Sequence, residues 1–375
     1  YFWVGICTAS PTGFVGCALI ARFFCPLAMP QSSDTSHVQF SKSLTKRSSM
    51  HRRHATHDYQ GVGIYMITIE TRDRRPILGR LSVPANRAHS SVQSEYPCVQ
   101  LSTIGSAVVR SWQAISQWYP QIHSRWLTVM PDHLHGILYV KDRIPVHLGK
   151  VLAAFKRECN REAFKALEAE GKLESARSFV EFADSKVLIW KREFNDIIIK
   201  DPDQLQNSIA YLKDNPRRLW LKQQHAEYFA QLEVKIAGHT FNSVGNIHLL
   251  SADLLLPVHI SSRQTEAAIQ QQIQRLISAA EQGAVLVSPF ISEAEKSVEK
   301  SLAEQNLPHV HLLENGFSQF FKPSGKAFDA CAEGRLLLLA PWEHHNDRRQ
   351  ITRPQCLALN QMAADICQPC SQAVN

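Results

Sequence analysis

The pentapeptide Asp132-His133-Leu134-His135-Gly136, set in the apolar run 126–140, brings together side chains able to do metal chemistry. Side chains alternate across a strand, so His133 and His135 share one face, with Leu134 and Ile137 read as turning away from it. Two neutral imidazoles aimed at one point can hold a divalent cation, with a third ligand drawn from elsewhere in the fold. A His-apolar-His triplet on a half-buried strand also serves as an ordinary hydrogen-bonding pair, and the spacing alone leaves both readings open.

The second element is the segment 204–221. Leu205, Ile209, Leu212 and, past a turn, Leu219 fall at helical spacing. Asn215-Pro216 is expected to end the helix, because proline disfavours helical geometry in the residue before it. Tyr211 and Asn215, four apart, occupy one helical face about a turn from each other. A phenol and an amide oxygen presented together suit a metal-assisted attack on phosphorus, one as nucleophile and the other as the missing ligand. A core tyrosine and a capping asparagine account for the same two residues without any chemistry.

Three segments carry a family resemblance. Val129-Met130-Pro131-Asp132-His133-Leu134-His135-Gly136 resembles the HUH motif of the single-tyrosine transposases, close to the REP-associated tyrosine transposases. Tyr211-Leu212-Lys213-Asp214-Asn215-Pro216 is similar to their Tyr-x-x-x-Asn-Pro helix, and the segment 189–199 to their Trp-x-x-x-Phe-x-Asp-x-Ile-Ile strand. Asn195 stands where a His is frequent, outside the three core positions. The resemblance covers roughly residues 50–222. It implies a ferredoxin-like α+β domain whose antiparallel sheet carries both histidines on a central strand, with the tyrosine hydroxyl facing a metal. It further implies Mg²⁺ or Mn²⁺ on His133, His135 and Asn215, and Tyr211 attacking a DNA phosphate to leave a 5′-phosphotyrosine and a free 3′-OH. The substrate implied is a single strand recognised beside a short hairpin. The physical chemistry agrees, since a phenol titrating near ~10 is a poor nucleophile at neutral pH without a cation to stabilise the developing charge.

A formal net charge of +7 over 375 residues favours polyanionic partners. Lys150, Lys156, Arg157 and Arg161 fall on a helix expected after the histidine strand, while Lys191, Arg192, Lys213, Arg217, Arg218 and Lys222 surround the tyrosine segment. Each cluster alone reads as a solvated face; their concentration near the motifs reads as phosphate contact. Trp112, Trp118 and Trp126 are able to stack unpaired bases, although tryptophans flanking a strand are more often core.

Length points to two domains. The expected division is an extension over 1–57, an HUH catalytic domain over 58–222, a connecting segment over 223–260, a smaller α/β domain over 261–367 and a tail over 368–375. Short β-like runs are read in the connecting segment at 232–236 and 247–250. Beyond it, helices at 266–282 and 293–305 alternate with strands at 284–288, 309–313 and 335–340, the texture of a parallel sheet. The runs 284–289, 312–317 and 334–342 resemble the Rossmann-like domain of DNA-processing protein A, without a G-x-G-x-x-G fingerprint. That resemblance implies a ligand at the strand carboxyl ends, near Ser288, Gly316, Lys322 and Ser324. An oligomerising domain without ligand is the equal alternative.

Nine cysteines, an odd number, do not make a disulfide framework and read as reduced thiols in a cytoplasmic protein. Cys367-Gln368-Pro369-Cys370 has the spacing of half a zinc site with no second half. The segment 1–29 is apolar but interrupted by polar residues and prolines, which argues against a membrane span, and 31–57 lacks periodicity. Met50 is expected to be the natural start.

The reading is an HUH-type transposase-like enzyme that cleaves and rejoins single-stranded or hairpin-bearing DNA, with its tyrosine acting in cis or exchanged across a homodimer. A nicking endonuclease or replication-initiator relative would share the chemistry. A domesticated hairpin-binding regulator that has lost catalysis is the alternative from another class, opposed by the intact His-Leu-His and Tyr-x-x-x-Asn.

Overall fold

The computed structural model describes residues 3–4, 56–83, 97–261, 263–319, 321–347 and 350–368. The chain forms two compact units, Tyr1–Arg218 and Leu219–Asn375. The first runs β1 (Trp3–Val4), β2 (Gly63–Glu70), the antiparallel pair β3 (Gly79–Ser82) and β4 (Cys98–Leu101), then α1 (Thr103–Trp118), β5 (Ile122–Met130) and β6 (His133–Val140). It continues through α2 (Leu148–Ala169), the single turn α3 (Leu173–Ala176), the pair β7 (Glu181–Ala183) and β8 (Lys186–Leu188), β9 (Asn195–Ile199) and α4 (Pro202–Gln224).

The sheet order is β1-β5-β6-β2-β9, and the contacts β5–β6, β6–β2 and β2–β9 are all antiparallel. Alternation sorts the side chains by face. Tyr65, Ile67 and Ile69 of β2 and Leu134, Leu138 and Val140 of β6 join Trp112 of α1 and Phe155 of α2 in the main core. Met66 and Ile137 point the other way and pack with Ile199 and Leu212, so α4 covers that face. Ile137 therefore shares the histidine face, against expectation, because β6 alternates without a bulge through His133, His135 and Ile137. Gly136, on the core face, is required by close approach: a Cβ there would lie 2.3 Å from the Trp112 ring. Helix α1 starts where the Ser102 hydroxyl accepts from Gly105 N–H and stops before Pro120, whose ring disfavours helical geometry at Tyr119.

Helix α4 does not end at Asn215-Pro216; it runs through to Gln224. Proline removes the N–H that would bond the carbonyl four residues earlier, here Leu212. That carbonyl instead accepts the Thr128 hydroxyl of β5 at 2.8 Å, in the buried interface.

The second unit supplies β10 (Leu232–Ile236), β11 (His239–Gly245), β12 (Leu255–Pro257), α5 (Glu266–Glu281), β13 (Val285–Ser288), α6 (Glu293–Glu304), β14 (His309–Leu312), α7 (Gly325–Ala332), β15 (Leu336–Ala340) and α8 (Arg353–Cys367). Its sheet order is β10-β11-β15-β14-β13-β12, with β12 to β15 parallel and β10 and β11 antiparallel at one side. Leu286 faces α5 and α6, whereas Val285 and Val287 face α8, so helices lie on both faces.

Three boundaries differ from expectation. The segment 223–260 is no connector, because its strands complete the second sheet. The run 247–250 belongs to a 3-10 turn, Ile247–Ser251, opened by Asn246 accepting from His248 N–H. At the other end, His57 bonds the Tyr65 hydroxyl at 2.9 Å and so belongs with the first unit; apart from Trp3–Val4 and Thr56, the rest of the extension lies outside the described residues. Cys159, Cys331, Cys356 and Cys367 are free thiols, but Cys98 is disulfide-bonded, so reduced cysteines do not hold throughout. Cys370 lies outside the described residues.

Candidate active site

On β6, His133 stands between Glu70 of β2 and Met130 of β5, and His135 between Thr68 and Thr128. The two rings lie 4.8 Å apart, nearly perpendicular. Each has one nitrogen already engaged. His133 Nδ1 is 2.6 Å from Asp132 Oδ1, and Arg74 approaches the other oxygen of that carboxylate at 3.3 Å. His135 Nδ1 is 2.8 Å from Thr68 Oγ1. Such partners fix ring orientation and tautomer, and they leave Nε2 of each imidazole as the atom available to a ligand. Burial drives His135 down to about 3, with the charges of His133 and Arg74 adding to it, so the ring is neutral. Burial pushes Asp132 up, but the hydrogen bond and charge of His133 and the charge of Arg74 outweigh it and hold the carboxyl below its ordinary value.

Helix α4 brings Tyr211 to this pair: its ring centroid is 5.4 Å from that of His135. The side chain is 40% exposed, which leaves the phenol within reach of a large substrate. The Arg218 guanidinium, two turns along the same face of the helix, lies 5.8 Å from the Tyr211 ring. Asn215 is buried, and its Nδ2 donates to Tyr211 O at 2.8 Å, which turns Oδ1 into the free acceptor. The Thr128–Leu212 hydrogen bond pins the helix to the strand position paired with His135. The four residues singled out by spacing, His133, His135, Tyr211 and Asn215, thus come from a central strand and one covering helix. Among the described residues no group of three His, Cys, Asp or Glu side chains is placed to hold a metal.

The basic residues divide. Lys150, Lys156, Arg157 and Arg161 project from α2, which covers the opposite face of the sheet from the histidines, and so do not converge on them. Lys156 is a structural clamp, donating to the carbonyls of Lys191, Arg192 and Glu193 at 2.8, 3.1 and 2.9 Å. Arg161 pairs with Glu158 and Glu162, and Arg217 grips Asp214 with two nitrogens. Lys191 reaches Glu70 at 3.3 Å. Lys213 and Arg192 are exposed. Trp112 is fully buried, which removes it from base stacking; Trp126 is half-buried beside the α4 cluster, and Trp118 is 39% exposed.

In the second unit two of the expected ligand residues, Ser288 and Gly316, are used structurally. Ser288 is buried, its hydroxyl donating to Val258 O and accepting from Phe290 N–H. Gly316 sits where a Cβ would meet Trp342 O at 2.3 Å. Lys322 and Ser324 are exposed, and Ser324 starts α7 without a side-chain cap.

Thr68, Arg74 and Thr128 were not visible as site residues in the sequence. Asp132 was visible only as a neighbour of His133, the one local signal available, since an acidic residue beside a candidate ligand often orients it.

No family model matches the chain. An uncharacterized protein of Haemophilus influenzae is 24% identical over 198 residues, spanning 50% of this chain and 97% of that protein. Among solved structures, DNA processing protein A from Helicobacter pylori, described for its single-stranded DNA binding, aligns at TM-score 0.28 and 19% identity over 37% of this chain and 66% of its own. A REP-associated tyrosine transposase bound to a REP hairpin aligns at TM-score 0.25 and 14% identity over 44% of this chain and 74% of its own. Likenesses this partial leave the reading to the geometry of the site. Among the described residues no helix is long and apolar enough to cross a membrane.

Proposed function

We propose that the first unit is an HUH-type single-tyrosine enzyme that cleaves and rejoins single-stranded DNA, and that the second unit is accessory. The observation that carries this is the placement of the Tyr211 ring 5.4 Å from a neutral His135 whose Nδ1, like that of His133, is already held. The strand order β5-β6-β2-β9 with two intervening helices on one face is that of a ferredoxin-like domain, which supports the same reading.

Two imidazole nitrogens and one amide oxygen make a donor set suited to a divalent ion of intermediate hardness, Mn²⁺ ahead of Mg²⁺. His133, His135 and Asn215 would hold it, and when bound it would draw charge from the phosphate oxygens and stabilise the phenolate. Tyr211 Oη gives up its proton and attacks phosphorus; a P–Oη bond forms as the P–O3′ bond breaks, and the departing 3′ oxygen takes a proton. Attack by a 3′-OH on the phosphotyrosine reverses the step and frees Tyr211 without an energy source. Asn215 holds the Tyr211 carbonyl, and Arg218 lies against the ring.

Tyr211→Phe removes the attacking oxygen and keeps the ring. With labelled hairpin-bearing single strands and Mn²⁺, wild type is expected to give a covalent adduct on denaturing gels and the variant none, with unchanged circular dichroism. An adduct retained by the variant would place the nucleophile elsewhere.

A further inference from the structure

A cavity of about 490 Å³ opens beside the histidine row, walled by residues 70–74 on one side and 190–192 on the other. Its frame is built from backbone bonds: Thr71 bridges to Trp190, Arg72 N–H donates to Ile189 O at 2.8 Å and Lys191 N–H to Glu70 O at 3.0 Å. The loop inside it is strained, with Asp73 and Arg74 both in the left-handed region at φ 54° and 56°. Two successive non-glycine residues there cost free energy that the surrounding structure must offset, a pattern found where a side chain has to be aimed.

The cavity adjoins the site on two counts. Glu70 in its wall pairs with His133 in register, and Arg74 contacts the Asp132 carboxylate that holds His133. Its lining carries four cationic side chains, Arg72, Arg74, Lys191 and Arg192, against the carboxylates of Glu70 and Asp73. Arg74 and Lys191 both lean on Glu70, and Arg72 on Glu181. Pairs this exposed are worth little and exchange readily for a better anion. Arg192 is exposed and makes no ion pair among the described residues. Guanidinium forks bind phosphate with two parallel hydrogen bonds, and several of them around one concavity define an anion seat.

We infer that this groove seats a backbone phosphate of single-stranded DNA adjacent to the one attacked by Tyr211, an inference resting on the proposed function and identifying how the strand would be held. The test is equilibrium binding of fluorescent dT15 to Tyr211→Phe protein in excess chelator, where no cleavage occurs, read by anisotropy across a salt series. Adding Arg192→Glu is expected to weaken binding about tenfold at low salt and to reduce the salt slope by roughly 0.7, the loss of one single-strand phosphate contact. Lys165→Glu, the same charge change on α2 across the sheet, is expected to stay within about twofold of the parent. Equal weakening by both variants, or none by Arg192→Glu, overturns the groove; tighter binding of rU15 than dT15 overturns the choice of DNA. Adducts from wild type without an Arg192 effect would sink the groove alone, and an Arg192 effect without adducts would sink the strand-transfer reading alone.

Discussion

His133-Leu134-His135 on β6 and His309-Val310-His311 on β14 have the same spacing, and each strand is flanked by neighbours on both sides. Their surroundings differ. On β14, His309 is 3% exposed with Nδ1 3.3 Å from Leu307 O, and burial holds it below its ordinary value. His311 Nδ1 is 2.8 Å from Glu299, and Phe290 stands edge-on to both rings at 5.9 and 5.3 Å. Over the β6 pair stands a phenol, on a helix that also carries the buried Asn215; over the β14 pair stand a phenyl ring and a carboxylate already paired. The strand pattern is common to both, so it is the covering element that separates a candidate centre from a packed pair.

The sharpest way to break this contrast is to truncate both pairs. His133→Ala or His135→Ala deletes one of three proposed ligands, and adduct formation with Mn²⁺ should fall more than about 100-fold, since even outer partners of a ligand are worth 10–100-fold. His309→Ala and His311→Ala should leave the adduct rate unchanged and lower only thermal stability. Loss of adducts in the β14 variants would mean that the second unit takes part in the chemistry. Next in size are the groups behind the β6 rings. Asp132→Asn and Thr68→Val release Nδ1 of His133 and His135 in turn, and each should weaken Mn²⁺ binding by about 10–100-fold in titration calorimetry. Affinity unchanged in both would show that the rings are held by packing alone.

How much of this could be read from the sequence follows from range. The strand carrying the two histidines and the helix carrying Tyr211 and Asn215 were legible because strand and helix periodicity is local, and the alternation of helices and parallel strands in the second unit was legible for the same reason. The partners of those residues were not. Thr68 meets His135 across 67 positions and Thr128 meets Leu212 across 84, contacts that no window contains. Which face the α2 cations occupy was not legible because sequence proximity ignores faces: α2 follows β6 directly yet lies beneath it. Pro216 misled because a local rule for ending helices takes no account of a hydroxyl brought from another strand.

A smaller effect sharpens the description of the β6 pair as neutral. His135 is lowered from 6.5 to about 3 in the fold, so between those values the unfolded chain takes up a proton that the native state refuses. Its contribution is therefore fully present above pH 6.5 and is lost as pH falls toward 3, by about 2 kcal/mol at pH 5. Asp132 is lowered as well, but its window lies below the ordinary 3.8 of a carboxyl. Metal-free wild type should lose denaturant stability between pH 6.5 and 5 more steeply than His135→Gln. Parallel curves would mean that the ring is protonated in the native state and that the contrast in burial does not translate into charge.

The smallest effect concerns how Tyr211 is held over the sheet, and it has a built-in control. Thr128→Val keeps the side-chain shape but strands the buried Leu212 carbonyl, whose helical partner Pro216 cannot supply; an unsatisfied buried acceptor costs about 1–3 kcal/mol. Pro216→Ala restores an N–H at the position that normally bonds that carbonyl, so in its presence the Thr128 hydroxyl becomes dispensable. Thr128→Val should thus cost about 1–2 kcal/mol in wild type and less than half of that in Pro216→Ala, a coupling readable by a double-mutant cycle in urea. Amide exchange in the second half of α4 should quicken in Thr128→Val and return in the double variant. Additive costs would mean that the hydroxyl stabilises β5 by itself, and that the proline serves only to bend the helix. Coupled costs would make a residue paired with His135 the fixed point from which the tyrosine is suspended, the arrangement that β14 lacks.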